Sequence, residues 1–225
     1  MSLDVVSIGE PMVEFNQTGA DGGRSYLQGF GGDSSNFAIA AARQGAKAGY
    51  VTALGADVYG RMFRELWRAE GVDAHHVRED ADAFTAVYFV THAADGHHFS
   101  FFRKGSAASR LAPRDVPAKY LATARYVHLS GISLAISDSA CDFGFAAIAA
   151  ARKGGAKISF DTNLRLKLWP KERARAVTSE AIAQCDVCLP SLDDVAALYD
   201  IDEPNALIDR ILAMGPKVVV LKMGD

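Results

Sequence analysis

Residues 157–190 read KISFDTNLRLKLWPKERARAVTSEAIAQCDVCLP, and the fold is decided here. Lys157 to Asp161 is a short apolar run of strand length that ends on a carboxylate. Lys171 to Gln184 carries a helical period, and Val187 to Pro190 is again a short apolar strand. Strand, helix, strand in this order is a βα unit. Its strands run parallel because the helix returns the chain to the edge it started from. The rhythm extends in both directions. Upstream lie a strand from Tyr126 to Leu129 and an Ala-rich helix from about Ser139 to Lys153. Downstream lie helices at Leu192 to Tyr199 and Asn205 to Met214, then a strand from Lys217 to Leu221. The pattern predicts an α/β body, a parallel sheet flanked by helices.

The first half begins in the same way. Val5 to Gly9 reads as a buried strand, Ser34 to Gln44 as a helix ended by Gly45, Ala48 to Leu54 as a strand, and Val58 to Glu70 as an amphipathic helix closed by Gly71. Two strand pairs break the rhythm. Met12 to Asn16 and Ser25 to Gln28 flank a Gly-rich turn at Gly19 to Gly23. Ala83 to Thr91 and His97 to Lys104 flank Asp95-Gly96, a two-residue hairpin signal. Both pairs alternate apolar and polar residues, as a sheet wet on one face does. A small antiparallel β lid is expected, from about 11–30 and 83–105, on a single α/β domain. A short helix is expected near Arg114 to Leu121.

The chain has 225 residues, 49% of them hydrophobic, enough for one sizeable core. Its 24 Lys and Arg against 27 Asp and Glu give a net charge of −3, with no basic run. Nucleic acid is therefore not expected as a partner, since phosphate-backbone binding needs clustered cations. The longest apolar run, Phe143 to Ala151, is far short of a membrane span, and no secretory leader is read. Three cysteines without a leader point to a reducing, cytoplasmic setting. Cys185-Asp-Val-Cys188 follows a helix instead of opening one, so its thiols read as structural. The adjacent pairs His75-His76 and His97-His98 read as solvated. No Walker GxxxxGK[ST] and no GxGxxG occur.

Four stretches carry candidate chemistry. Gly31-Gly32-Asp33-Ser34-Ser35-Asn36 opens a helix with more polar residues than a cap needs. Either Asp33 or Ser34 caps the helix and the rest is surplus, or Asp33 and Asn36 meet a polyhydroxylated ligand beside the free N–H groups of the first turn. In Phe99 to Gly105, strand periodicity puts Phe99, Phe101 and Arg103 on one face. Arg103 there is either solvated or placed to grip a carboxylate, with Tyr88 across the hairpin. Asp161-Thr-Asn163-Leu-Arg165 closes a parallel strand, where such sheets carry their ligands, and is either a magnesium–phosphate or sugar-acid site or a helix-approach loop with capping polar groups. In Leu189-Pro-Ser191-Leu-Asp-Asp194, Ser191 and Asp194 have the spacing of a mixed capping box, from which a carboxylate acting on a metal through water is not separable locally.

In this order the four stretches resemble the ribokinase-like (PfkB) sugar kinases over the whole chain. The segments Ile8-Gly9-Glu10-Pro-Met-Val-Glu14-Phe15, Phe101-Phe102-Arg103-Lys104-Gly105-Ser106-Ala107 and Asp161-Thr-Asn163-x-Arg165-x-x-Leu168-Trp169 are similar to the 2-keto-3-deoxygluconate kinase branch. The resemblance implies phosphoryl transfer from ATP, with Mg²⁺, to a sugar acid. It implies that Gly32, Asp33 and Asn36 hold substrate hydroxyls, that Tyr88, Phe101 and Arg103 close from the lid, and that Arg165 meets the acid end or the phosphates. It places Asn163, Arg165, Ser191, Lys222 and Gly224 on the nucleotide side, and Asp194 near the metal through water. An exposed lid face implies a homodimer through the lid.

Three departures qualify it. Phe101-Phe102 stands where this branch often has two tyrosines. Ser191 and Asp194 replace the broader family's Asn and Glu. The family's Gly-Ala-Gly-Asp segment lies beyond the strand where this chain ends, so its catalytic aspartate is expected beyond Asp225. No catalytic base is therefore assigned, and a C-terminal part is expected to be lacking. A fructose- or nucleoside-type kinase of the same fold, and a catalytically incomplete sugar-acid binding module, remain as alternatives.

Overall fold

The structure, a computed structural model, describes residues 2–19 and 23–224. Asp225 lies outside the described residues, and so does the middle of the expected Gly-rich turn at Gly19 to Gly23. The body is a seven-stranded parallel sheet. The strands are β1 (Leu3–Ile8), β4 (Ala48–Gly55), β5 (Val77–Asp80), β8 (Ala124–Ser130), β9 (Lys157–Asp161), β10 (Val187–Leu189) and β11 (Val218–Val219), in the spatial order β11-β10-β9-β8-β1-β4-β5. The chain builds outward from β1 to β4 and β5. It then returns to the other side of β1 and builds outward again through β8 to β11. This reversal makes β1/β8 a switch point, where ligands of open parallel sheets bind beyond the carboxyl ends.

Right-handed crossovers in opposite directions place the helices on opposite faces. Helices α1 (Asp33–Arg43) and α2 (Val58–Ala69) serve the β1–β5 half. Helices α4 (Gly131–Ala135), α5 (Asp138–Lys153), α6 (Lys171–Ala183), α7 (Leu192–Tyr199) and α8 (Pro204–Leu212) serve the β8–β11 half, and α3 (Ala118–Leu121) leads into β8. Two apolar clusters result. One packs Val127, Leu129, Ile158, Phe160 and Cys188 of the sheet against Ala147, Ile148, Ala151 and Ile182 of the helices. The other packs Tyr50 and Leu54 against Ile39, Phe63 and Trp67. The alanines of α5 let that helix lie close to the strands, which explains a long helix of small residues. All three cysteines are buried and free. Among the described residues, no helix is long and apolar enough to cross a membrane.

The second sheet corrects one expectation. Strands β2 (Met12–Gln17), β3 (Tyr26–Gly31), β6 (Val87–Ala93) and β7 (Gly96–Phe102) assemble in the order β3-β2-β6-β7. The two outer pairings are antiparallel hairpins, but the central one, β2 with β6, is parallel, with Val13 opposite Val87 and Asn16 opposite Val90. The lid is therefore mixed rather than antiparallel. The cause is its attachment. β2 leaves the carboxyl end of β1 and β6 leaves the carboxyl end of β5, so both run outward from one edge of the body.

Three local differences also appear. The stretch near residues 114–121 is a 3₁₀ turn at Pro113–Asp115 followed by the one-turn α3. β5 and α4 were not foreseen. β11 is shorter than expected, though its ladder continues through Val220 N to Cys188 O (2.9 Å) and Lys222 N to Pro190 O (2.8 Å).

Candidate functional site at the carboxyl edge

The entry to α1 settles where its surplus polar residues go. The cap position is Gly32, at φ 101°, and no side chain caps the helix. A Cβ on Gly32 would meet the Glu10 carbonyl oxygen at 2.6 Å, so the backbone of α1 lies directly on the β1–β2 turn. Ser34 and Ser35 face the core. Ser34 Oγ lies 2.9 Å from the Tyr50 hydroxyl, and Trp67 Nε1 donates to Ser35 Oγ at 2.9 Å. Neither the expected Asp33 cap nor the Ser34 cap forms. Asp33 and Asn36 are the two left over, and Asn36 is exposed.

Asp33 accepts from Asn163 Nδ2 at 2.7 Å, across the carboxyl edge from the end of β9. Asn163 stands at φ 31°, a left-handed conformation that Asn tolerates better than most residues. Its backbone N–H donates to Asp161 Oδ1 at 3.1 Å. The Asp161 carboxylate in turn takes Lys222 Nζ at 2.7 and 2.9 Å, which ties β9 to the segment after β11. Burial pushes the Asp161 carboxyl upward, while Lys222 pulls the other way. Ser191 pairs with Lys222 by a parallel bridge, and Leu192 N donates to the Lys222 carbonyl at 2.9 Å. Ser191 occupies the cap position of α7 without a side-chain bond. Asp194 does not complete a capping box. It reaches across to accept from Leu164 N at 3.0 Å, and so holds the loop that carries Asn163.

The other flank comes from the small sheet. Register puts Glu14, Tyr88 and Phe101 side by side across β2, β6 and β7, with Gly29 and Gly31 on the same face of β3. The glycines leave room for the Tyr88 ring. A Cβ on Gly31 would lie 2.6 Å from its hydroxyl. Tyr88 donates to Glu14, and burial together with that carboxylate holds the phenol protonated. Phe101 stacks on Tyr88 at 5.5 Å, and the Arg103 guanidinium lies over Phe101 at 5.9 Å. Arg103 is largely buried. It pairs with the fully buried Glu10 at 2.5 Å, and Ser106 Oγ donates to Glu10 at 2.6 Å. Burial raises the Glu10 carboxyl against the pull of Arg103, and the Asp33 charge adds to the rise.

Most of the anticipated residues thus gather along one edge: Arg103 beside Glu10, then Asp33, Asn163, Asp161 and Lys222, with Ser191 and Asp194 alongside. Arg165 does not join them. It is exposed, and its Nη1 donates to the neighbouring Leu164 carbonyl at 2.6 Å. Gly224, at φ 88°, lies two residues past Lys222 and is the last described residue before Asp225. Glu10 and Glu14 were given no role from sequence. Their signal is a carboxylate at each end of the three-residue apolar stretch Pro11-Met12-Val13. Two concave cavities, of about 610 and 590 Å³, lie elsewhere, and neither includes Asp33, Arg103 or Arg165. The first opens at the amino ends of the strands beside Asp4, Arg125 and Tyr126.

Among the described residues, no three His, Cys, Asp or Glu side chains gather as a metal cage. A magnesium ion held mainly by nucleotide phosphates and water needs only one or two carboxylates, and Asp161 and Asp194 stand at this edge.

A pfkB family carbohydrate kinase model matches residues 2–225. A 2-dehydro-3-deoxygluconokinase of Thermoproteus tenax is 34% identical over 236 residues, covering 99% of this chain and 70% of that protein. Fructokinase-1 of Oryza sativa subsp. japonica is 34% identical over 228 residues, covering 98% of this chain and 70% of its own length. The crystal structure of a PfkB protein from Polaromonas sp. superposes with a TM-score of 0.92 at 31% identity, over 99% of this chain and 77% of that one. A putative ribokinase II of E. coli in complex with ATP and Mg²⁺ superposes at 0.87 with 25% identity, over 98% and 72%.

Proposed function

The chain belongs to the pfkB family of carbohydrate kinases, and from that premise we propose that its acceptor is a sugar acid, 2-keto-3-deoxygluconate or a close relative. The observation that carries this reading is Arg103, a guanidinium buried at the base of the small sheet beside the Asp33 edge. Glu10 engages only part of the Arg103 fork, and a carboxylate, unlike a neutral sugar, matches the charged donors left over. The 2-dehydro-3-deoxygluconokinases among the relatives agree with this choice.

Asp33 and Asn36 orient the acceptor's hydroxyls, and Gly32 keeps the backbone close beneath them. Tyr88 and Phe101 cover the sugar from the small sheet, which acts as a lid. ATP supplies the phosphoryl group, and Mg²⁺ offsets its charge. Asn163, Ser191, Lys222 and Gly224 line the nucleotide side, Asp194 acts on the metal through water, and Arg165 swings from its exposed position toward the acid end or the phosphates. Catalysis is mainly positioning and exclusion of water. The proton of the attacking hydroxyl goes to a base that is assigned to no described residue. We place the protein in the cytoplasm.

A second reading, a fructose-type kinase, has one observation in its favour: Glu10 already neutralises Arg103. Titration calorimetry with 2-keto-3-deoxygluconate and with fructose separates the two. R103M is expected to weaken binding of the acid at least tenfold and to leave any binding of fructose little changed. Equal loss with both sugars sinks the sugar-acid reading.

A further inference from the structure

Glu10 has no part in the reading above, yet it is the one charged residue in the buried set of the described chain. It lies in the turn that leads from β1 out to β2, and Arg103 lies where β7 returns to the body. The two charges therefore meet where both connections cross between the sheets. Glu10 is fixed from two further sides. Ser106 Oγ donates to its Oε1 at 2.6 Å, and Gly32 lies against its backbone.

Burying such a pair costs desolvation that an apolar pair avoids, so it is a poor device for stability alone. The pair is also incompletely bonded. Glu10 Oε2 and Arg103 Nη2 approach to 2.5 Å without hydrogen-bond alignment, and Arg103 Nε finds no acceptor. A purely structural ion pair is normally satisfied in full.

We propose that Glu10 is a positioning residue for acceptor recognition: anchored by Ser106, it holds the Arg103 fork at the base of the small sheet so that the remaining guanidinium donors face the acceptor's carboxylate. This rests on Arg103 being the carboxylate grip. Glu10 acts through Arg103 and touches no substrate atom.

Titration calorimetry of the chain with 2-keto-3-deoxygluconate and with its uncharged methyl ester tests it. R103M is expected to weaken binding of the acid at least tenfold and of the ester less than twofold. E10A is expected to do the same. E10Q keeps an acceptor for the guanidinium and a partner for Ser106, and should bind the acid within threefold of the unsubstituted protein. S106A removes only the anchor, and keeps the test decisive if E10A fails to fold. It should weaken the acid at least threefold and spare the ester. Combined with R103M, neither E10A nor S106A should add a further loss. Equal weakening of acid and ester by E10A or S106A makes Glu10 structural and overturns the proposal, as does a full effect that persists in the R103M background. If R103M itself treats acid and ester alike, the carboxylate reading falls and takes the role of Glu10 with it. If R103M discriminates and the Glu10 and Ser106 variants do not, only the role of Glu10 falls.

Discussion

His128 shows how a single side chain records its surroundings. It sits within β8, with its ring stacked on Phe37 at 3.7 Å and 9°, and its Nδ1 lies 3.0 Å from Ser159 Oγ. Burial lowers its pKa to about 4, with the Asp33 charge opposing. Between pH 4 and 6.5 the unfolded chain therefore binds the proton that the folded chain refuses, so stability rises with pH across that window. We expect the protein to lose on the order of 2 kcal/mol from this site between pH 7 and pH 5. H128N should flatten that part of the profile, as read from urea midpoints at the two pH values. An unchanged slope in H128N would show that the loss arises elsewhere. At this scale the sequence was only partly legible. Asp33, Ser34, Ser35 and Asn36 are chemically interchangeable as helix caps. Only the distant Tyr50 and Trp67, which engage Ser34 and Ser35, leave Asp33 and Asn36 for the edge. The Glu10–Arg103 pair was equally hidden, since its partners lie far apart in the chain.

Among the elements, α2 depends most visibly on one residue outside it. Asp57 caps it by accepting from Gly60 N at 2.7 Å, and its other oxygen accepts from Thr85 N at 2.7 Å. One carboxylate thus closes the helix and fixes the strand entry to β6. D57A should cost about 1–2 kcal/mol for the cap alone, and more as Thr85 N loses its partner. D57N should recover only the cap, because its amide N–H₂ cannot accept from Thr85. Chemical denaturation of the three proteins gives the order: D57N as stable as the unsubstituted protein would remove Thr85 from the account, and an equal loss in both variants would remove the cap. Elements with a clear period were legible, such as α2, β8, β9 and α6. β5 was not, because Val77-Arg-Glu-Asp80 is an edge strand whose polar residues carry no apolar alternation. α4 was not, because a five-residue helix after a strand has too few residues to show a period. The parallel pairing of β2 with β6 was beyond local signals altogether. Hairpin turns fix partners within a hairpin, but the pairing between hairpins follows from where both strands leave the body.

For the whole molecule, the order of elements was enough to place most of the candidate residues, though not Arg165, at one edge, because every parallel strand delivers its carboxyl end there. What the order left open is the outer part of the small sheet. Along one face the levels run outward from Tyr88 and Phe101 to Asn16 with Leu27 and Val90 with Phe99. The inner level adjoins the Asp33 edge, where the sugar is proposed to bind. The outer level leaves Leu27 69% and Phe99 52% exposed. Two large apolar side chains on an otherwise ordered sheet, each worth about 1.5–3 kcal/mol on burial, favour a cover that the described residues do not provide. A second copy brings the same face in the same register, and a two-fold pairing buries both residues on both sides. We therefore expect the protein to sediment as a dimer at micromolar concentration. Replacing Leu27 and Phe99 together with lysine should give a monomer with an unchanged circular dichroism spectrum. A monomer in the unsubstituted protein, or a dimer that survives the double substitution, would mean that this face is not where copies meet.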